Sequence, residues 1–168
     1  MRDLHRRSAK VLAIHELEIA GFEVFTPMTE KIFSRGGRKY KNTVPVIQDL
    51  LFVNSTKKEL DPYVEIMLNL QYRYNRGKSI NEPLTVRHQD MERFINAIRT
   101  TDSPKFYLPG EITPSMYGRS VRIIGGPLDN YSGRLLSVRG LRSKRLIVEV
   151  PGLIAASIEV NPDYIQLL

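Results

Sequence analysis

The sequence predicts an α+β fold in two parts, on three observations. In the first hundred residues some apolar positions recur at helical spacing and others alternate as in strands. Residues 100–117 hold Pro104, Pro109, Gly110 and Pro114 with little periodicity, which is linker composition. Beyond them every apolar run is short and alternating, cut by Gly and Pro at intervals that suit a small antiparallel barrel. The expected organisation is an N-terminal antiparallel sheet flanked by helices over residues 1–101, a linker over 102–116, and an all-β domain over 117–168.

Residues 3–21 carry Ala9, Leu12, Ala13, Leu17, Ile19 and Ala20 on one broad helical face, and Gly21 suits the position after a helix end. Phe22 to Thr26 alternates as a strand and stops at Pro27. Residues 30–47 read as a hairpin turning on Gly36-Gly37, with exposed charge at its tip. Residues 46–53 form a further strand whose dense run Leu50-Leu51-Phe52-Val53 suits a central position. A helix is expected over 61–70, opened by Asp61-Pro62, then a short strand over 70–74. The clearest helix spans 88–99, with Met91, Phe94, Ile95 and Ile98 at i, i+3, i+4 and i+7. In the second half, Val121/Ile123, Leu136/Val138, Leu146/Val148/Val150 and Ile158/Val160 alternate as strands. Gly125, Gly126, Pro127, Gly133, Gly140, Pro151 and Gly152 disfavour a helical alternative there, at about 1 kcal/mol per Gly and 3 per Pro.

The chain has 168 residues, enough for one medium domain or two small ones. Its 42% hydrophobic and 26% charged content is that of a folded chain. No apolar run approaches the roughly 20 residues of a membrane helix, and no apolar segment follows the charges of Arg2, Arg6 and Arg7. The expected compartment is therefore the cytoplasm. Absence of cysteine excludes disulfides, thiolate metal sites and cysteine nucleophiles.

Catalytic patterns are lacking. His5, His15 and His88 stand far apart and read as solvated helix residues without ligand spacing. Gly125-Gly126-Pro127 has no following Lys-Ser/Thr and reads as a turn, and no G-x-S-x-G elbow exists. Acidic residues are scattered singly. The expectation is a binding protein, not an enzyme, using no cofactor or metal.

Charge points to a polyanionic partner. Twenty-five Lys+Arg against eighteen Asp+Glu leave +7, spread over both halves, since residues 1–103 hold seventeen basic and thirteen acidic groups. Two clusters stand out. Lys31, Arg35, Arg38, Lys39 and Lys41 lie within eleven residues without an acid, and Tyr40 beside them offers stacking. Arg139, Arg142, Lys144 and Arg145 form the second, which is either a solvated loop tip or a phosphate contact.

Motifs in both halves resemble the NusG family of transcription elongation factors. Gly118-Arg119-Ser120-Val121-Arg122-Ile123-Ile124-Gly125-Gly126-Pro127-Leu128 followed by Gly133 is similar to a KOW motif, its key positions being Val121, Ile123, Gly126, Pro127 and Gly133. Asn130 stands where such motifs often have a further Gly, and Asn is the next best residue for left-handed backbone. Gly21 to Pro27 resembles the family's strand ending in Phe-x-Pro. Glu30-Lys31-Ile32-Phe33 opening a basic hairpin and Leu51-Phe52-Val53 closing it resemble the RfaH-like branch. The closing Val160-Asn161-Pro162-Asp163-Tyr164-Ile165 is most similar to the UpxY-type regulators of capsular polysaccharide operons. Asp49-Leu50 stands where such proteins have Gly-Tyr or Asn-Tyr, and the chain has no Trp.

The resemblance implies a NusG N-terminal-like domain and an SH3-like five-stranded KOW barrel. It implies an N-terminal domain docked on the clamp helices of RNA polymerase, close to DNA or nascent RNA, suppressing pausing or termination. The KOW domain then recruits a ribosomal or termination-factor partner. By motif position Leu50 and Phe52 are the polymerase-receiving pair, with Phe25 as neighbour. Arg35, Arg38, Lys39 and Lys41 face nucleic acid. The competing expectation is an RNA-binding or ribosome-associated KOW protein.

Overall fold

The computed structural model describes residues 1–4, 12–74, 82–140 and 142–168. It is mixed α+β and divides into two compact units, Met1–Thr85 and Val86–Leu168. In the first unit the order is β1 (Arg2–Asp3), α1 (Ala13–Ile19), β2 (Glu23–Phe25), β3 (Met28–Arg35), β4 (Arg38–Pro45), β5 (Phe52–Asn54), α2 (Lys57–Ile66) and β6 (Leu70–Gln71). The second holds α3 (His88–Arg99), β7 (Lys105–Tyr107), β8 (Tyr117–Ile123), β9 (Ser132–Leu136), β10 (Arg145–Val150), β11 (Ile154–Glu159) and β12 (Ile165–Leu167).

In the first unit, Ala13 and Leu17 of α1 pack with Leu51, Leu60 of α2 and Leu70. Val24, Val53 and the edge-to-face pair Phe22–Tyr63 close over this core. The expected single sheet is instead three antiparallel ribbons, β1–β6, β2–β5 and β3–β4, with two isolated bridges, Arg2 to Leu50 and Tyr74 to Pro83. The expected strand over 46–53 shrinks to β5 because the chain turns before it, where the Leu50 N–H donates to the Ile47 carbonyl. Asp49 in that turn accepts from Arg2 Nε and Arg73 Nη2, both at 2.6 Å. Burial alone would raise the Asp49 pKa, but the Arg2 hydrogen bond and the Arg73 charge hold it below the usual carboxylate range.

Two helix starts differ from expectation. Helix α1 begins at Ala13, while Asp3 belongs to β1; the expected helical residues 5–11 lie outside the described residues. Helix α2 begins before Asp61-Pro62 because Thr56 and Glu59 form a reciprocal capping box, which leaves Pro62 inside the helix. The strand expected over 70–74 is the two-residue β6.

In the second unit six antiparallel strands run in the order β12-β8-β9-β10-β11-β7. Four of them, β8 to β11, fall on the four alternating segments expected there, and β12 is not among those segments. The sixth, β7, comes from the segment of linker composition: Phe106 pairs with Ala156 and Tyr107 with Ala155, small residues that leave room for the aromatics. Helix α3, expected with the first part, packs on β10 and β11 with Phe94 and Ala97 buried. Arg93 fastens it further, stacking over the Tyr131 ring at 5.0 Å and donating to the Ser132 carbonyl at 3.1 Å. The division therefore falls at 85/86, before α3, and not after it at the expected 101. Over 121–150 the only helical turn described is the three-residue 3₁₀ turn Gly126–Leu128; the rest is strand and loop.

Candidate functional site

The β3–β4 hairpin is built by its turn. Arg35 pairs with Arg38 across Gly36 (φ 59°) and Gly37 (φ 77°), and two consecutive left-handed residues make the type I′ turn that matches strand twist. That register fixes the faces, because directly opposed residues share a side and sides alternate along each strand. One side carries Lys31, Phe33 and Arg35 opposite Asn42, Tyr40 and Arg38. The other carries Glu30, Ile32 and Ser34 opposite Thr43, Lys41 and Lys39.

The expected cluster of Arg35, Arg38, Lys39 and Lys41 is thus split. Arg35 and Arg38 oppose each other, and among the described residues neither forms an ion pair. Lys39 and Lys41 are on the reverse side, where Lys41 Nζ pairs with Glu30 Oε2 at 3.0 Å. Glu30 lies one position outside the acid-free stretch, and the antiparallel register brings it back beside Lys41. Phe33, which closes the Glu30-Lys31-Ile32-Phe33 motif but is not among the expected contact residues, joins the site. Its ring stacks on Tyr40 with centroids 5.8 Å apart and planes 23° from parallel.

The second basic cluster changes character. Arg145 is buried, with Nε donating to Ser157 Oγ at 3.0 Å and Nη2 to the carbonyls of Ser157 and Ser103 at 2.6 Å each. It is a structural strut of the unit, whereas Arg139, Arg142 and Lys144 stay outside the strands.

Phe25 and Phe52 meet as a cross-strand pair of the β2–β5 ribbon, half-buried, with ring centroids 6.4 Å apart. Leu51 and Val53 point the opposite way into the core, as alternation requires. Leu50 does not join the aromatic pair on an open surface. It is only 3% exposed, so it cannot receive a partner without rearrangement. The preceding turn and the Arg2 bridge fold it inward.

The glycine turn after β8 has a physical basis for each motif residue. Val121 and Ile123 are buried. The Asn130 N–H returns to the Ile123 carbonyl at 2.8 Å, and Asn130 takes φ 64°, the left-handed conformation expected of it. Gly126 has φ 70°, and a Cβ there would lie 3.0 Å from the Tyr164 ring; Pro127 follows it in the 3₁₀ turn. Gly133 lets β9 approach β10, since a Cβ would meet the Ile147 carbonyl at 3.0 Å. Gly126→Ala is expected to cost about 1–2 kcal/mol from the left-handed strain, with the ring swinging aside. A urea titration checks this, and an unchanged midpoint would show that the turn does not need glycine.

A groove of about 440 Å³ lies within the second unit between α3 and strands β9 and β10, lined by Asp90, Arg93, Phe94, Tyr117, Arg134 and Glu149. Tyr117 donates its hydroxyl to Glu149 Oε1, an acceptor that raises the phenol pKa, and Arg134 stacks over the Tyr117 ring at 5.2 Å. His15 and His88 are exposed and each pairs with a carboxylate one turn on, Glu18 and Glu92; His5 lies outside the described residues. These carboxylates stand at helical spacing, a signal already present in the sequence. Among the described residues no group of three His, Cys, Asp or Glu side chains is placed to hold a metal ion, and no helix is long and apolar enough to cross a membrane.

No protein-family model, curated protein or solved structure matches the chain.

Proposed function

We infer that the chain is a transcription elongation and antitermination factor of the NusG type, acting without covalent chemistry in the cytoplasm. The observation that carries this reading is the exposed basic hairpin borne on the same compact unit as a half-buried aromatic pair, Phe25 and Phe52. The pair docks on the clamp helices of RNA polymerase, and the hairpin reaches the DNA or nascent RNA beside it. The second unit supports the reading through its KOW-like turn, in which Gly126, Asn130 and Gly133 each occupy a position that demands a small or left-handed residue. It serves as the recruiting module for a ribosomal or termination-factor partner. The similarity of the closing segment to UpxY-type regulators supports action within a polysaccharide biosynthesis operon.

The second reading is an RNA-binding or ribosome-associated KOW protein, favoured by the exposed aromatic and basic residues on one hairpin side. Affinity capture from lysate with and without nuclease separates the two. Polymerase retained after digestion supports the elongation factor. Ribosomal components released by digestion, with no polymerase, support the alternative.

A further inference from the structure

We propose that the hairpin binds single-stranded nucleic acid on one side only, stacking unpaired bases on Phe33 and Tyr40 while Arg35 and Arg38 hold the phosphates. This rests on reading the hairpin as nucleic-acid-facing, and it specifies the ligand and the surface.

Among the described residues the hairpin belongs to no larger sheet, and all its residues from Glu30 to Thr43 are exposed. An isolated two-stranded ribbon gains little from packing, so its composition is free to serve a surface role. On that ribbon the two aromatics are brought together on the side that also carries the opposed arginines and Lys31. Phe33 is 37% and Tyr40 47% exposed, so the stacked pair still offers a broad π surface to solvent. Two arginines directly opposite repel each other, and among the described residues no acid relieves them. An external anion does so. The reverse side has Ile32 and no aromatic, its Lys41 is already paired with Glu30, and its remaining cation, Lys39, stands opposite Ser34 and not another cation.

Phosphates alone would suit duplex and single strand equally. The aromatic pair decides between them, because bases inside a duplex present no free π face at this surface, whereas unpaired bases stack on aromatics regardless of sequence. A two-stranded ribbon with its aromatics two residues from the cations at its tip spans a few nucleotides. Base faces meet the rings and the backbone runs toward Arg35 and Arg38.

The test measures fluorescence anisotropy of labelled 15-nucleotide single-stranded DNA, single-stranded RNA of the same sequence, and duplex DNA with the full chain. Phe33→Leu/Tyr40→Val retains strand-forming residues and all charges. It is expected to weaken single-strand binding about 5- to 100-fold with an unchanged salt slope and unchanged duplex affinity. Arg35→Gln/Arg38→Gln should weaken every ligand and flatten the single-strand salt slope by about 1.4. Ile32→Thr, on the reverse side, should change affinity less than about twofold, within the range of a neutral surface substitution. Phe33→Tyr/Tyr40→Trp, which keeps the stack, should bind as the parent does; if the rings only hold the hairpin together, the Leu/Val variant loses duplex binding as well. A preference for the ribo- or deoxy-oligomer identifies nascent RNA or a separated DNA strand as the source, and either preference supports the proposal. Duplex binding equal to or tighter than single-strand binding overturns it, as does an Ile32→Thr loss matching the aromatic variant, or no binding to any oligonucleotide. These assays contain no polymerase, so their failure leaves the elongation reading standing, and loss of polymerase capture leaves the single-strand site standing.

Discussion

Phe52→Arg is expected to reduce polymerase capture at least 100-fold while lowering the melting temperature of the first unit by about 4–16 °C without unfolding it. The asymmetry follows from where the ring sits. Phe52 is half-buried against Phe25 on the side of β5 opposite the core, whose members are Leu51 and its neighbours. An arginine there lays its methylenes over Phe25 and keeps its guanidinium in water, so the fold loses about 1–2 kcal/mol. In a docked complex the same charge is buried unpaired at an aromatic anchor, where truncations alone cost about 2 kcal/mol or more. The neighbouring position gives the contrast. Leu50→Arg puts a charge at a site 3% exposed and is expected to unfold the first unit outright. Thermal melts beside a polymerase pull-down check both variants. A collapsed Phe52→Arg melt would make Phe52 a core residue, and normal binding by the folded variant would remove it from the interface.

Arg145→Ala is expected to destabilise the second unit by about 3–5 kcal/mol, a large share of the stability of a small domain. The guanidinium is 4% exposed and makes three donations, to Ser157 Oγ, the Ser157 carbonyl and the Ser103 carbonyl. Glu159, at 3.6 Å from Nη1, is the nearest counter-charge and is itself largely exposed. Truncation removes the guanidinium donor from buried Ser157, whose Oγ keeps only the Tyr107 hydroxyl at 3.4 Å, and opens a cavity beside it. Arg145→Lys restores the charge but not the fork that reaches three acceptors at once, and is expected to recover only part of the loss. A urea unfolding curve decides it. A loss under about 0.5 kcal/mol, the range of an ordinary surface substitution, would return Arg145 to the surface cluster with Arg139 and Arg142.

The parts of the fold legible in the sequence are those set by local chemistry. Helix α3 follows from Met91, Phe94, Ile95 and Ile98, and its bounds match expectation at both ends. Gly36-Gly37 dictates the hairpin turn, and Asn130 takes the left-handed backbone its place in the motif requires. The features that depart from expectation depend on distant partners. Nothing local says that α3 packs on β10, because its apolar stripe would suit any sheet; Arg93 on Tyr131 and Ser132 decides the matter across about forty residues. Phe106 and Tyr107 lie among prolines, and only their pairing with Ala155 and Ala156 makes them a strand. The burial of Leu50 comes from a turn held by Arg2, Asp49 and Arg73, charges that read as surface residues. Phe33 is within reach of the sequence. A two-residue turn at 36–37 pairs 35 with 38, which pairs 33 with 40 and also sets Lys41 on the side of Glu30. The α2 start is within reach too, since Thr56 three residues before Glu59 is a capping-box pattern.

The proposed contact between the Phe25–Phe52 surface and RNA polymerase can be tested directly. A photo-crosslinking phenylalanine analogue is placed at position 52, irradiated in a reconstituted elongation complex and mapped by mass spectrometry. Crosslinks to the clamp helices are predicted, and they should be competed away by excess unlabelled parent chain. Crosslinks confined to ribosomal components, or none to polymerase from a chain that melts as the parent does, would contradict docking through this surface.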